Sequence, residues 1–579
     1  MSDTSAAPDR APLGRLAARG GAVTMGGQLL KVGVQAVSIV VLARLLAPEA
    51  FGYLAMVLAL VGVAETVRDF GLANAAIQAR TLSDAERDNL FWLNTLIGAV
   101  LTGAGIACAP LVAAFYGQPE LADVTRWVSL SFLLNSVATQ HRASLVRGMR
   151  LGAAAVADVA GPVAGLCAAV LVAVAGGGYW ALVAQQLVAA LVMSAGLVVA
   201  GRWVPGWPRR DVSVRPFVRY GSNLLGAQLL GYATRNIDTA ILGLRFGAGV
   251  AGLYSRVYQL MALPIRQATW PANRVALPVL SRVHDDAPRY REFLLFGQTV
   301  LLHTIVPALT LAAALAGPVV EVVLGERWSQ AAPAFAILAV GGVFEAAGFA
   351  PNWVFQSAGR TGALLRFTLA TRPVVLLAVG GGSFFGMTGA ALGYAVSTAV
   401  VWPLGLWWVS RVTDAPAGAL FRNGVRAFVS HGAAALAAWV VTSRLPDGSP
   451  WLAIGVGLPV WAAVIAVQAL LWRRLRADLG GLRHAVGLLS RRGAGAGDAA
   501  GRGGTEVSAG HGAPEPAGGR GTGERGAGER AGGRGAGGPA GRGVGSGVGA
   551  TAGDGIEAAG GSRVGVRSVV GSRAEEESS

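Results

Sequence analysis

Three arginines, Arg256, Arg266 and Arg274, sit within one apolar run at residues 250–278. Arg256 and Arg274 are 18 residues apart, which is five turns at about 3.6 residues per turn, so on a helix they share one face. Arg266 falls about 80° away from that face. Pro264 and Pro271 interrupt the run, and a kink there alters these angles. No carboxylate in the run neutralises the three guanidiniums. Paired guanidinium N–H donors match phosphate oxygens, so the chemistry they suit is capture of a phosphate-bearing anion. The plainer alternative for Arg256 and Arg274 is that they snorkel to opposite faces of a membrane.

Other polar groups are set in equally apolar surroundings. Lys31 stands between Gln28 and Gln35; Glu65, Arg68 and Asp69 close a second run; Arg235, Asn236 and Asp238 lie on a third; and Glu345, Asn352 and Gln356 on a fourth. A charge inside hydrocarbon costs a few kcal/mol, roughly 2.5–3.5 on insertion scales, so such residues face a cavity or one another. Lys31, Arg68, Arg235 and Asp238 therefore join the three arginines as candidates for ligand binding. Arg235 and Asp238 are i, i+3 neighbours, and mutual pairing is the ordinary alternative. Glu65, Asp69 and Glu345 are candidates for gating or for carrying a coupling proton; for Glu345 an interhelical hydrogen bond is the plainer role. No histidine or cysteine cluster suggests a metal, catalytic or other cofactor site, and Cys108 and Cys167 fall inside apolar runs with no external pair to form.

Fourteen stretches long and apolar enough to span a bilayer position these residues. They lie near 22–44, 50–72, 90–114, 124–141, 154–175, 179–201, 218–243, 250–278, 292–316, 329–355, 362–385, 387–409, 427–443 and 451–472. The chain is 53% hydrophobic and 14% charged, with a mean hydropathy of +0.51, whereas soluble domains are about 25% charged. In hydrocarbon every backbone amide must be paired within its own segment, so the expected fold is an all-α integral membrane protein with about fourteen transmembrane helices.

Lys31 is the one lysine, so orientation rests on arginine. With both termini cytoplasmic, the inner loops and flanks hold groups such as Arg142, Arg147 and Arg150, Arg209, Arg210 and Arg215, and Arg473, Arg474 and Arg476. The outer loops hold five: Arg44, Arg126, Arg245, Arg327 and Arg444. This is the bias the positive-inside rule predicts. It also accounts for the net charge of +16 through anionic lipid headgroups, with no need of a nucleic acid.

The first apolar run is of full spanning length after a polar segment with Pro8 and Pro12, unlike a cleavable signal. Residues 1–21 are read as a cytoplasmic N-terminal segment. Residues 473–492 form a basic juxtamembrane stretch, either amphipathic on the inner surface or simply solvated. Residues 493–579, rich in Gly, Ala and Arg and lacking leucine and aromatics, read as a disordered tail.

The run Gly26-Gly27-Gln28-Leu29-Leu30 recurs 200 residues later as Gly226-Ala227-Gln228-Leu229-Leu230, and Leu42 and Gly52 recur as Leu242 and Gly252. The echo falls on the first helix of each block of six, in the same orientation, as in transporters built from parallel repeats. The expected organisation is an N-lobe at 22–201, a C-lobe at 202–409 and an added helix pair at 410–472.

The stretch LARLLAPEAFGYLAMVLALVGVAETVRDFGLANAAIQ (42–78), followed by FWLNTLIGAVL (91–101), resembles bacterial polysaccharide flippases of the Wzx, colanic-acid-exporter type. So do NIDTAILGLRFGAGVAGLYSRVYQLMALPIRQ (236–267) and LPVLSRV (277–283). These belong to the multidrug/oligosaccharidyl-lipid/polysaccharide exporter superfamily. The resemblance covers roughly residues 15–480. It implies two six-helix lobes that move a polyprenyl-pyrophosphate-linked oligosaccharide across the bacterial cytoplasmic membrane by alternating access, alongside other polysaccharide assembly proteins. A drug-cation antiporter of the same superfamily would want a negative cavity, whereas these helices lean positive. A glycan polymerase or glycosyltransferase would want acid/base or metal-binding residues in a sizeable loop. The longest predicted outer loop, Gly317–Gln330, is short and has no such cluster.

Overall fold

The computed structural model describes residues 10–68, 72–79, 81–446 and 449–482. Residues 1–9, Asp69, the end of the basic stretch and the Gly/Ala/Arg-rich tail lie outside the described residues. Among those described, every regular element is helical. The first are α1 (Arg10–Leu45), α2 (Pro48–Arg68), α3 (Leu72–Gln78), α4 (Asp84–Tyr116), α5 (Glu120–Arg147), α6 (Leu151–Val174) and α7 (Trp180–Gly201). Next come α8 (Arg215–Arg282), α9 (Ala287–Ala314), α10 (Ala316–Val323), a 3-10 helix (Glu326–Ala331), α11 (Ala332–Ala347) and α12 (Phe349–Ser357). The last four are α13 (Thr361–Ser383), α14 (Gly386–Val412), α15 (Ala417–Thr442) and α16 (Pro450–Leu471).

The helix boundaries follow local chemistry. Before α4, Ser83 and Glu86 form a capping box: the Ser83 hydroxyl accepts from the Glu86 N–H at 3.2 Å and the Glu86 carboxylate accepts from the Ser83 N–H at 2.8 Å. Among the described residues, the predicted stretches lie mainly on helix. Among the described residues, eleven spans are long and apolar enough to cross a membrane, with α11 and α12 forming one of them. The chain is thus a multi-pass membrane protein. The three remaining stretches are 124–141 on α5 and the two arms of α8. On α5 the reason is plain: Thr125, Ser129, Ser136, Gln140 and His141 are buried among neighbouring helices, where hydroxyl and amide groups stabilise packing in lipid.

One expectation needs correction. The predicted outer loop Gly317–Gln330 is α10 plus the 3-10 helix, held because Trp328 is buried and donates to the Ala43 carbonyl at 2.9 Å. The stretch 329–355 lies within one span, Glu326–Ser357, in which Gly348 separates α11 from α12. The stretches 218–243 and 250–278 are, as expected, two helical arms (215–246 and 248–282, together α8) that meet at a break at Gly247. Gly247 has φ 80° and ψ −177°, a conformation essentially restricted to glycine.

In the first half of the chain α4 packs on α5, α6 on α7, and α1 on α6. In the second half α13 packs on α14, α11 on α14 and α9 on α11, and α15 lies against α9 and α16. The halves meet along α2 and α8. A Cβ placed on Gly52 would lie 1.8 Å from the Ala248 carbonyl oxygen, and one on Gly252 would lie 1.9 Å from that of Pro48. Both contacting pairs obey the same offset of 200 residues, so position 52 meets 248 and position 252 meets 48. Such reciprocity is the mark of a two-fold interface, here made within one chain. Around this crossing, Arg256 lies 3.8 Å above the Phe51 ring, and Phe51 meets Trp328 edge-on at 5.3 Å between centroids.

Candidate functional site

A candidate site lies in the second half, where α8, α11, α12, α13 and α14 line a cavity of 330 Å³. The first arm of α8 brings Arg235 and Asp238 to it, the second arm Tyr258, α11 Glu345, α13 Arg372 and α14 Tyr394. Asp238 is 4% exposed, and burying a carboxyl requires that its oxygens be satisfied. Oδ2 accepts from the Tyr254 hydroxyl at 2.8 Å; Oδ1 accepts from the Thr239 N–H at 2.7 Å and its hydroxyl at 3.3 Å. Tyr254 is on the second arm, so this bond ties the two arms together across the Gly247 break. The Glu345 carboxylate accepts from the Tyr394 hydroxyl. The rings of Tyr254 and Tyr258 are stacked at 6.2 Å, and Tyr258 meets Tyr394 edge-on at 5.9 Å.

This geometry revises the reading of Arg235 and Asp238 as a mutual pair. Among the described residues no ion pair joins them: Asp238 is turned toward Tyr254, and Arg235 is exposed at the cavity. It also revises the purely cationic picture for this half. The lining holds two guanidiniums and two carboxylates, a balanced set that can bind polar, hydroxyl-rich groups as well as anions. Arg372, mid-run beside Pro373, and Tyr258 and Tyr394 are not among the residues singled out from the sequence.

The other candidates are dispersed. Glu65 and Arg68 form an ion pair at 2.7 Å, and Arg68 also reaches the Thr139 hydroxyl at 3.5 Å, so its charge is compensated locally. Asp69, their predicted companion, lies outside the described residues. Arg256 donates to Gln259 at 3.0 Å while stacking on Phe51, which places it at the junction of the halves. Arg274 is exposed and lies 3.8 Å above the Trp270 ring. The face shared by Arg256 and Arg274 therefore does not build one anion site; each is held by its own ring. Lys31, half-buried, and Arg266, exposed, have no hydrogen bond or ion pair among the described residues.

A family model described as polysaccharide biosynthesis protein matches residues 41–333, just over half of the chain. The chain belongs to this family. The matched stretch contains the α2–α8 crossing and both arms of α8. Relatives of this polysaccharide biosynthesis protein include the lipopolysaccharide biosynthesis protein WzxC of Escherichia coli (strain K12), 27% identical over 63% of this chain and 74% of that one. The succinoglycan biosynthesis transport protein ExoT of Rhizobium meliloti (strain 1021) is 27% identical over 53% of this chain and 62% of its own length. The teichuronic acid biosynthesis protein TuaB of Bacillus subtilis (strain 168) is 24% identical over 66% and 79%. Among solved structures, the lipid II flippase MurJ in an inward closed conformation shares the fold with a TM-score of 0.61 at 12% identity, over 79% of this chain and 99% of that one. An inward-facing multidrug resistance MATE transporter of the MOP superfamily does so at 0.53 and 13% identity, over 68% and 96%.

Proposed function

We propose that this family member is a flippase that carries a lipid-linked oligosaccharide, joined to its polyprenyl carrier through pyrophosphate, across the bacterial cytoplasmic membrane for surface glycan assembly. One observation supports this most directly. Lys31 in the first half and Arg235 and Arg266 in the second are intramembrane cations with no hydrogen bond or ion pair among the described residues. Leaving such charges unneutralised is costly unless a ligand or water-filled passage meets them. A pyrophosphate supplies the missing negative charge, and the balanced cavity around Arg235 and Arg372 suits sugar hydroxyls. A drug-cation antiporter is the weaker reading, because its cargo would want an excess of carboxylates.

In this proposal both termini are cytoplasmic, following the arginine bias, and the Gly52–Gly252 crossing closes the outer end. Phosphate groups enter from the inner leaflet between the halves, and Lys31 and Arg266 draw the pyrophosphate in. Separation of α2 from α8 then opens the outer side. The direct test is to delete the gene and identify the lipid-linked sugar that accumulates on the inner leaflet, then to complement with Lys31→Ala, Arg235→Ala and Arg266→Ala. Impaired export at normal protein levels is expected for each. Full export by all three, or no accumulating glycan lipid in the deletion strain, would overturn the assignment.

A further inference from the structure

After α16 the chain turns at Trp472, whose φ and ψ of −113° and 99° are extended, and continues as helix over residues 473–482. Arg476 caps the end of α16, donating to the Ala469 and Leu470 carbonyls at 3.0 and 2.6 Å. Leu475 is fully buried, and Asp478 is gripped by Arg426 of α15 at 2.6 and 3.0 Å. The helix over 473–482 is thus fixed against α15 by both packing and charge.

Two clefts flank this junction, of 340 and 370 Å³, and Arg422, Arg426 and Arg474 border both. Arg426 is committed to Asp478. Arg422 and Arg474 are exposed and have no hydrogen bond or ion pair among the described residues. Below them the larger cleft has an apolar wall of Phe421, Val425 and Val429, one residue per turn along α15 into its spanning portion, faced by Trp472. Phe421 is 42% exposed and Val429 56% exposed. Two free guanidiniums above an uncovered apolar stripe match an amphiphile whose head is an anionic phosphate and whose tail is a hydrocarbon chain.

We propose that this cleft is a binding site for an anionic phospholipid of the surrounding bilayer, with the phosphate between Arg422 and Arg474 and one acyl chain along Phe421, Val425 and Val429. The site is separate from the cavity around Arg235 and does not rest on the transported cargo. It does touch that cavity mechanically: Phe421 stacks at 5.1 Å and 17° on Trp402, which lines the cavity.

The test uses the full chain in detergent and native mass spectrometry, with phosphatidylglycerol and phosphatidylcholine of identical acyl chains and with inorganic phosphate alone. The wild type should retain phosphatidylglycerol about tenfold more strongly than phosphatidylcholine. Arg422→Gln with Arg474→Gln should erase that preference. Arg209→Gln with Arg210→Gln, an exposed basic pair elsewhere, should preserve it. Val429→Asn should weaken retention of both lipids by lining the acyl groove with an amide. Equal retention of the two lipids by the wild type, equal loss in both arginine double variants, or displacement of phosphatidylglycerol by inorganic phosphate at matching concentration would each overturn the proposal.

Discussion

Replacing Gly252 with alanine attacks the crossing of the two halves at its tightest point. The new Cβ would sit 1.9 Å from the Pro48 carbonyl oxygen and 2.9 Å from the Gly52 amide nitrogen, and both obstacles are backbone. Ordinary contact begins near 3.4 Å, so α2 must retreat by about 1.5 Å in the closed arrangement. Overpacking of this kind costs about 1–3 kcal/mol. The cost falls on the closed state, so the ratio of open to closed molecules should rise about 5- to 150-fold. The assay places a single cysteine at Met56, fully buried beside the crossing, in a chain with Cys108 and Cys167 replaced by serine. Under the proposed topology, in which the crossing closes the outer end, a membrane-impermeant maleimide added outside then reports opening through its rate of reaction at Met56→Cys. Gly52→Ala should act like Gly252→Ala, because its Cβ meets the Ala248 backbone in the same way. Gly26→Ala should be silent, because nothing lies within 4 Å of its Cβ. Unchanged labelling in correctly inserted Gly52→Ala and Gly252→Ala proteins would refute the reasoning.

Further outcomes are expected from the same contacts. Trp328→Phe should lower thermal stability in detergent by about 1 kcal/mol through loss of the bond to Ala43, and Trp328→Ala by about 3–5 kcal/mol through the added cavity; equal melting of the two variants would contradict this division. Tyr254→Phe leaves a buried carboxyl of Asp238 short of a donor and should cost about 1–3 kcal/mol, whereas Tyr258→Phe, whose hydroxyl holds no such bond among the described residues, should cost less in the same melt. Arg426→Ala should destabilise toward the lower end of about 3–5 kcal/mol, since the two side chains are 15% and 13% exposed. That last penalty depends on pH. Burial alone would raise the Asp478 carboxyl, but His303 and Arg426 outweigh burial and hold it below its ordinary value. The stabilisation is therefore present above the unfolded carboxyl value of about 3.9 and lost as pH falls through the lower folded value. The gap between wild type and Arg426→Ala should close on acidification, and a gap independent of pH would assign the loss to packing.

Much of the helical framework was legible because hydrocarbon imposes one rule on every segment, and the apolar runs obey it. The echo at Gly52 and Gly252 was legible as repetition, but its meaning was not. Sequence spacing showed that the positions correspond; only the packed helices show that each glycine faces the partner repeat's carbonyl. The site was less readable for a related reason. Arg235 and Asp238 are neighbours along the chain, yet Asp238 bonds Tyr254, 16 residues on, because Gly247 turns the second arm to meet the first. Arg372 had no carboxylate near it in sequence to draw notice, and its place beside Glu345 is created by the packing of α13, α11 and α14 around one cavity.

The two features also bear on each other. Asp238 is bound by Tyr254; Tyr254 stacks on Tyr258; Tyr258 meets Tyr394; and Tyr394 donates to Glu345. A continuous series of contacts therefore joins both carboxylates of the cavity, and two of its members, Tyr254 and Tyr258, stand on the second arm of α8 within two turns of Gly252. Packed side chains of this kind have few alternative arrangements at native density. A displacement of the second arm large enough to release Gly252 from Pro48 must be absorbed either at Gly247 or along these tyrosines. Gly247 already occupies a conformation closed to other residues, which makes it the softer of the two. The arm can then swing while the Asp238–Tyr254 bond decides how much of the motion reaches the cavity, and that bond becomes the physical link between the crossing and the groups proposed to meet the cargo.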